Sequence, residues 1–177
     1  MLRSISFSVA LAILSVLAVA EEAAGEKFIS KEGRFTVSFP ATPKEIVMEA
    51  DGETIVKNVR YSVAKDGLNY DVGYIAYGKN FADKINTLDP ADFAKRQQAA
   101  TVKRTVGEVL VQKEAALGKE KQPGYELLIQ VNPTQFLRQR AFYANGKLYQ
   151  LMLAGATREL VTSATADKFL DSFSIAE

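Results

Sequence analysis

Apolar and polar side chains alternate along most of the chain, and a period of two is typical of half-buried β-strands. The alternation is clearest in residues 68–77 (LNYDVGYIAY), which predict a strand with one apolar and one polar face. The same pattern predicts strands at residues 27–30, 34–39, 45–50, 53–63, 108–117, 124–131, 135–144 and 147–154, with 119–123 among the turns. Asn145–Gly146 is the strongest hairpin signal, because both residues tolerate positive φ. The pattern therefore predicts an antiparallel sheet of about eight strands.

Two segments have the spacing of helices instead. Asp89, Pro90 and Asp92 predict a helix start, because Asp89 can cap free amides and Pro90 suits the first turn. This helix is expected to run to about Arg104. In residues 160–173 apolar side chains recur at helical spacing, which predicts a second helix. Two helices cannot fully cover both faces of such a sheet, so we expect an α+β domain with a curved antiparallel sheet and packed helices.

The N-terminus has the pattern of a cleavable secretory signal. Arg3 precedes an apolar run from Ile5 to Leu17, and the small residues Ala18 and Ala20 follow. The apolar run is shorter than the ~20 residues of an ordinary membrane span. The sequence thus predicts a signal peptide over residues 1–20, a mobile leader at 21–26 and a single domain at 27–177. We expect export to the periplasm or beyond, with no membrane span after cleavage.

Composition excludes several classes of function. The 22 basic and 21 acidic residues nearly cancel, so no long-range field favours nucleic acid. The chain has no cysteine, so its core must hold without disulfides. It also has no histidine, which removes the commonest general base and metal ligand. We therefore expect no cofactor, no metal of the usual His/Cys type and no histidine-dependent catalysis.

Calcium bound by oxygen ligands is the one metal alternative. Asp51, Glu53, Asp66 and Asp71 supply carboxylates, and Ca²⁺ needs several of them to converge. The two Asp-Gly pairs in this set are already explained as hairpin turns. The turn interpretation is therefore the favoured one.

Three segments resemble the PsbP-like superfamily. They are residues 33–40 (GRFTVSFP), 146–151 (GKLYQL) and 168–173 (KFLDSF). The resemblance implies an α/β/α sandwich over most of the mature chain. The superfamily includes photosystem-associated extrinsic proteins, Ran-binding nuclear import factors and exported bacterial proteins of unknown role. The export signal argues against the nuclear group, and we favour the third. The shared motifs are structural and carry no chemistry.

One strand suggests a binding surface. In residues 136–142 (FLRQRAF), Arg138 and Arg140 share a face with Phe136 and Phe142. Forked donors beside aromatic rings can hold an anionic or aromatic group. The alternative is that the arginine stems cover neighbouring apolar side chains of the sheet.

Taken together, these features predict an exported, monomeric and non-catalytic accessory domain that acts through protein–protein contact. The alternative is a carrier of a small hydrophobic or anionic ligand in a cleft between sheet and helix. Tyrosines on strands, at positions 61, 70, 74, 125 and 149, would either line such a cleft or belong to the core. A third interpretation is a hydrolase with a Ser-Lys pair, although the position of Ser172 near a helix end already explains that serine.

Overall fold

The computed structural model describes residues 25–119 and 121–176. The signal peptide and most of the leader predicted from the sequence lie outside these described residues. Glu26, the last residue of that leader, already belongs to the first strand and pairs with Phe39 of the second. The domain therefore begins at least one residue earlier than predicted. The strands are β1 (Glu26–Ser30), β2 (Phe35–Phe39), β3 (Lys44–Val47), β4 (Ile55–Lys65), β5 (Leu68–Tyr77), β6 (Glu108–Leu117), β7 (Gln122–Asn132), β8 (Gln135–Ala144), β9 (Lys147–Gly155) and β10 (Ser174–Ile175). The helices are α1 (Lys79–Asn86), α2 (Pro90–Arg104), α3 (Arg158–Val161) and α4 (Ala164–Asp171).

The described strands form two sheets. The larger has seven strands in the order β3-β4-β5-β9-β8-β7-β6, and each neighbouring pair is antiparallel. The smaller has the order β1-β2-β10. At the β8–β9 turn Asn145 and Gly146 have φ of 53° and 72°, as their hairpin signal predicts. In the small sheet, β10 from the end of the described chain pairs with β2 from near its start.

Apolar side chains on the two faces of the large sheet form separate cores. Leu128 of β7 faces the first core, which is shared with β2 and α4 through residues such as Phe39 and Phe169. Leu127 faces the second core, against which Val102 of α2 packs. Alternation along a strand sends neighbouring side chains to opposite faces. The result is a layered arrangement with helices on both sides of the large sheet, the sandwich that the resemblance implied.

The structure corrects the expected helices. It contains α1, which was not predicted, and it divides the predicted C-terminal helix into α3 and α4. The division falls where the Ser163 hydroxyl accepts a hydrogen bond from the Ala166 amide and so caps a new helix. The predicted α2 is confirmed, because the Asp89 side chain accepts from the amides of Ala91 and Asp92.

The predicted turn at 119–123 is also too long. Gln122 and Pro123 already belong to β7, where Pro123 pairs with Ala116. Pro123 is tolerated because the ladder between β7 and β8 begins only at Gly124, so no β8 partner needs the missing amide.

Within the described ranges, no helix is long and apolar enough to cross a membrane.

Candidate functional site

Arg138 and Arg140 lie on β8 and point to the face of the large sheet that carries α4. Their side chains are only 8% and 18% exposed. Phe136 and Phe142 share this face because side chains alternate along the strand. Phe142 is buried in the first core, where its ring stacks 6.3 Å from that of Phe173, and Phe136 is half-buried against the same core. The strand thus presents two arginines between two core aromatics, as its sequence predicts.

A buried carboxylate joins the two arginines. Glu126 of β7 pairs with Arg140 across the strands, and its side chain is only 5% exposed. Arg138 Nε donates to Glu126 Oε1 at 3.1 Å, and Arg140 Nε donates to Oε2 at 2.5 Å. Lys113 Nζ, from β6, lies 3.1 Å from Oε1. Three cations from two neighbouring strands therefore surround one anion.

The far ends of the two guanidinium groups reach α3 and α4. Arg138 Nη1 donates to Asp167 Oδ1 at 2.7 Å and to the Val161 carbonyl at 3.4 Å. Arg140 Nη1 donates to Asp171 Oδ1 at 2.6 Å. Each arginine therefore bridges Glu126 and a carboxylate of the helix. We call these six side chains the ion-pair cluster; they are Lys113, Glu126, Arg138, Arg140, Asp167 and Asp171, three cations and three anions.

The cluster shifts the pKa of its central carboxyl. Burial alone would raise the pKa of Glu126, but hydrogen bonds from Arg140, Arg138 and Lys113 outweigh burial and lower it to about 2. Burial opposes the charge of Arg140 as well, yet Asp171 and Glu126 raise the pKa of its guanidinium. Both groups therefore carry their charges throughout the ordinary pH range, which does not suit proton transfer near neutral pH.

The ion-pair cluster is a structural link between sheet and helix. Its bonds engage Nε and Nη1 of both arginines, so much of their donor capacity is used inside the chain. Clefts of about 220, 400 and 530 Å³ are lined by other residues. A binding role for Arg138, Arg140, Phe136 and Phe142 stays a prediction.

Sequence reasoning missed Glu126. The signal for it was present, because Glu126 interrupts the apolar run of residues 124–131 (GYELLIQV) directly before a strand with two arginines. An acidic residue inside a buried strand is rarely left unpaired.

The calcium candidates are separated by the fold. The Asp51 and Asp66 turns lie at opposite ends of β4, which has 11 residues and therefore extends for roughly 35 Å. Asp51 Oδ1 accepts from the amides of Glu53, Thr54 and Ile55, and these bonds lower the pKa of its carboxyl. In the described part of the chain no three Asp or Glu side chains are grouped so that they could hold a metal ion.

The remaining candidates, Ser172 and the strand tyrosines, take part in holding the fold together. The Ser172 hydroxyl donates to the Phe169 carbonyl and accepts from the Ser38 amide, so it joins the end of α4 to β2. The candidate tyrosines are all buried, as their core interpretation predicts; they are Tyr61, Tyr70, Tyr74, Tyr125 and Tyr149. Tyr70 also lines the cleft of about 530 Å³ and Tyr61 the cleft of about 400 Å³, so the cleft alternative stays open for these two.

Comparison with known proteins gives the fold its class. No family model matches the chain, and no curated protein matches it in sequence. The solution structure of cyanobacterial PsbP (CyanoP) from Synechocystis sp. PCC 6803 matches with a TM-score of 0.54 and 13% sequence identity. The match covers 92% of this chain and 98% of that one. The chain therefore has a PsbP-like α+β fold, which confirms the fold and the resemblance predicted from the sequence.

A crystal structure at 1.50 Å resolution from Bacteroides thetaiotaomicron VPI-5482 matches less closely. Its TM-score is 0.43 and its sequence identity 11%, with 87% of this chain and 49% of that chain covered. The chain thus spans about half the length of that protein.

Proposed function

We propose that the protein is an exported, non-catalytic accessory domain that binds a protein partner. The proposal rests chiefly on apolar side chains exposed where α1 begins. Val56 is 48% exposed and Phe81 39% exposed. A surface of apolar residues that lie together is typical of an interaction site, whereas scattered ones are ordinary.

Gly78, the residue before α1, lies close to both chain segments. A methyl group placed on Gly78 would lie 3.6 Å from Val56 Cγ1, and the Phe81 amide donates to the Gly78 carbonyl at 3.0 Å. The rings of Tyr77 and Phe81 are 5.0 Å apart. We call Val56, Tyr77 and Phe81 the α1 patch. The pairing of Lys79 with Asp83 on the same helix gives the patch a polar border.

The non-catalytic part of the proposal is supported by the chemistry of the described side chains. The chain has no histidine, and its most buried ionic group, Glu126, is held as a carboxylate by three cations. A general base near neutral pH needs a pKa close to the working pH instead.

The experiment is native mass spectrometry of the protein purified from its own host. We expect a second polypeptide mass on the wild type, lost in the double variant Val56→Ser/Phe81→Ser. Val106→Ser is the matched control, because Val106 is 81% exposed and lies outside the patch. N-terminal sequencing of the same exported material should begin at Glu21. Retention of the partner by the double variant, or full-length protein in the membrane fraction, would contradict the proposal.

A carrier of a small ligand is the second candidate. A cleft of about 530 Å³ lies between sheet and helix, with Pro40, Lys65 and Phe169 in its lining. Its volume is within the ~300–1,000 Å³ range of small-molecule sites. A co-purified mass of a few hundred daltons, rather than a polypeptide, would favour this candidate.

A further inference from the structure

A second, smaller cleft lies where the α1–α2 connection meets the end of the β8–β9 hairpin. Its volume is about 220 Å³, and its apolar lining includes Ile85, Leu88, Pro90, Phe93 and Tyr143. We call it the α2 cleft. Apolar cavities of about 150 Å³ are large enough to hold benzene. The α2 cleft therefore has room for a compound with one aromatic ring.

Two aromatic side chains shape the cleft. The rings of Phe93 and Tyr143 are 4.9 Å apart and inclined by 59° to each other. Aromatic rings favour tilted and offset contacts at such distances. A further ring can pack into the corner that these two rings form, and Leu88 supplies an aliphatic contact at the side, where it is 37% exposed.

Carboxamides supply the polar groups of the lining. Tyr143 donates its hydroxyl to Asn86 Oδ1 at 3.3 Å, which leaves the Asn86 amide nitrogen as a donor. Gln122 donates Nε2 to the Tyr143 carbonyl at 2.6 Å, which leaves Gln122 Oε1 as an acceptor. The side chains that line this cleft in the described structure include none with a charge. An anionic ligand would lose hydration there without gaining a cationic partner.

We propose that the α2 cleft binds a small, uncharged aromatic compound of one ring whose polar group can both accept and donate a hydrogen bond. The ring packs between Phe93, Tyr143 and Leu88, and the polar group meets the carboxamides of Asn86 and Gln122. The site shares no residue with the α1 patch or the ion-pair cluster, although the rings of Tyr143 in the cleft and Tyr77 in the patch are 6.4 Å apart. It does not depend on the protein partner proposed above.

Benzamide and benzoate test this proposal as a matched pair, since they have nearly the same shape and differ in charge. Each is titrated into the isotope-labelled protein while backbone amide shifts are followed by NMR. Benzamide should give saturable shifts centred on Leu88, Phe93 and Tyr143. Benzoate should bind roughly tenfold more weakly, because it would bring an unpaired charge into the cleft.

Variants at Leu88 complete the test. Leu88 is partly exposed, so Leu88→Lys should fold normally and weaken benzamide binding roughly tenfold by replacing an apolar wall with a charge. Leu88→Ala should have an intermediate effect, and Val106→Lys, a charge added elsewhere on the surface, should have none. Shifts that do not saturate or that centre elsewhere would overturn the proposal, as would equal binding of benzoate or equal binding by Leu88→Lys. Binding only of a peptide with an aromatic residue would overturn it in favour of a protein-anchor pocket.

Discussion

Replacing Glu126 by Gln should destabilise the protein strongly at neutral pH. Gln has nearly the shape of protonated Glu, so the variant removes the charge of the ion-pair cluster's central residue without opening a cavity. Arg138, Arg140 and Lys113 then lose their shared anion. Removing one partner of a buried ion pair is costly because it leaves the other charge uncompensated.

The magnitude follows from the pKa of this carboxyl. The Glu126 pKa is about 2 in the fold, against an ordinary value of 4.5, and at ~1.4 kcal/mol for each pKa unit the charged form stabilises the fold by about 3 kcal/mol. Because the folded pKa is the lower one, this contribution is complete above pH 4.5 and is lost as the pH falls toward 2. The stability difference between wild type and Glu126→Gln should therefore shrink over that same interval.

Urea unfolding of both proteins across this pH range is the assay. Glu114→Gln is the control, because Glu114 pairs with Lys95 at 3.6 Å with both side chains largely exposed. Exposed pairs of this kind contribute at most about 1 kcal/mol, so the control should change little. A loss below about 1 kcal/mol for Glu126→Gln at pH 7, or a difference that persists at pH 2, would refute the reasoning.

Three further predictions concern the cap, the arginines and the hairpin. Asp89→Ala should lower the free energy of unfolding by about 1 kcal/mol, because the Ala91 and Asp92 amides lose their acceptor; an unchanged urea midpoint would count against this cap. The double change Arg138→Gln/Arg140→Gln should lower the free energy of unfolding by more than about 2 kcal/mol, because it leaves the buried Glu126 carboxylate without its two arginine partners. Urea unfolding and partner retention are both measured on this variant. If the double variant lost the partner while its free energy of unfolding stayed within roughly 0.5 kcal/mol of the wild type, these arginines would form a binding surface instead. Asn145→Ala should cost about 1 kcal/mol in thermal unfolding, because Asn145 has a φ of 53°, whereas Asn145→Gly should be nearly neutral; equal stability of the two variants would contradict this.

The sequence predicted those elements that carry their own local signals. Alternation set the limits of β5 at Leu68–Tyr77 and of β6 at Glu108–Leu117, and the structure has the same limits. The start of α2 was predictable because Asp89 and Pro90 act within one turn of the helix. Helix α1 carries no such signal, because the residue before it, Gly78, offers no side-chain cap. Its formation depends on tertiary contacts that a pattern does not show.

The site was predictable only in part, for a similar reason. The spacing of Arg138 and Arg140 placed both on one face, which alternation alone requires. Their partners come from β7, α3 and α4, and those contacts depend on strand order and helix docking. Asp171 illustrates the limit, because its side chain is 65% exposed and still accepts a hydrogen bond from Arg140. A pattern shows that Asp171 points outward but does not show what it contacts.

The ion-pair cluster also fixes where α4 sits along the sheet. Asp167 and Asp171 are four residues apart on a helix, or about 6 Å, and Arg138 and Arg140 are two apart on a strand, or about 6.6 Å. The two spacings match, so both pairs form together only when α4 runs in the same direction as β8 and at one axial position. Sliding the helix by a single residue would misalign both pairs. The cluster therefore sets the alignment of α4 as well as its attachment, and this alignment brings the chain that leaves the helix to β2.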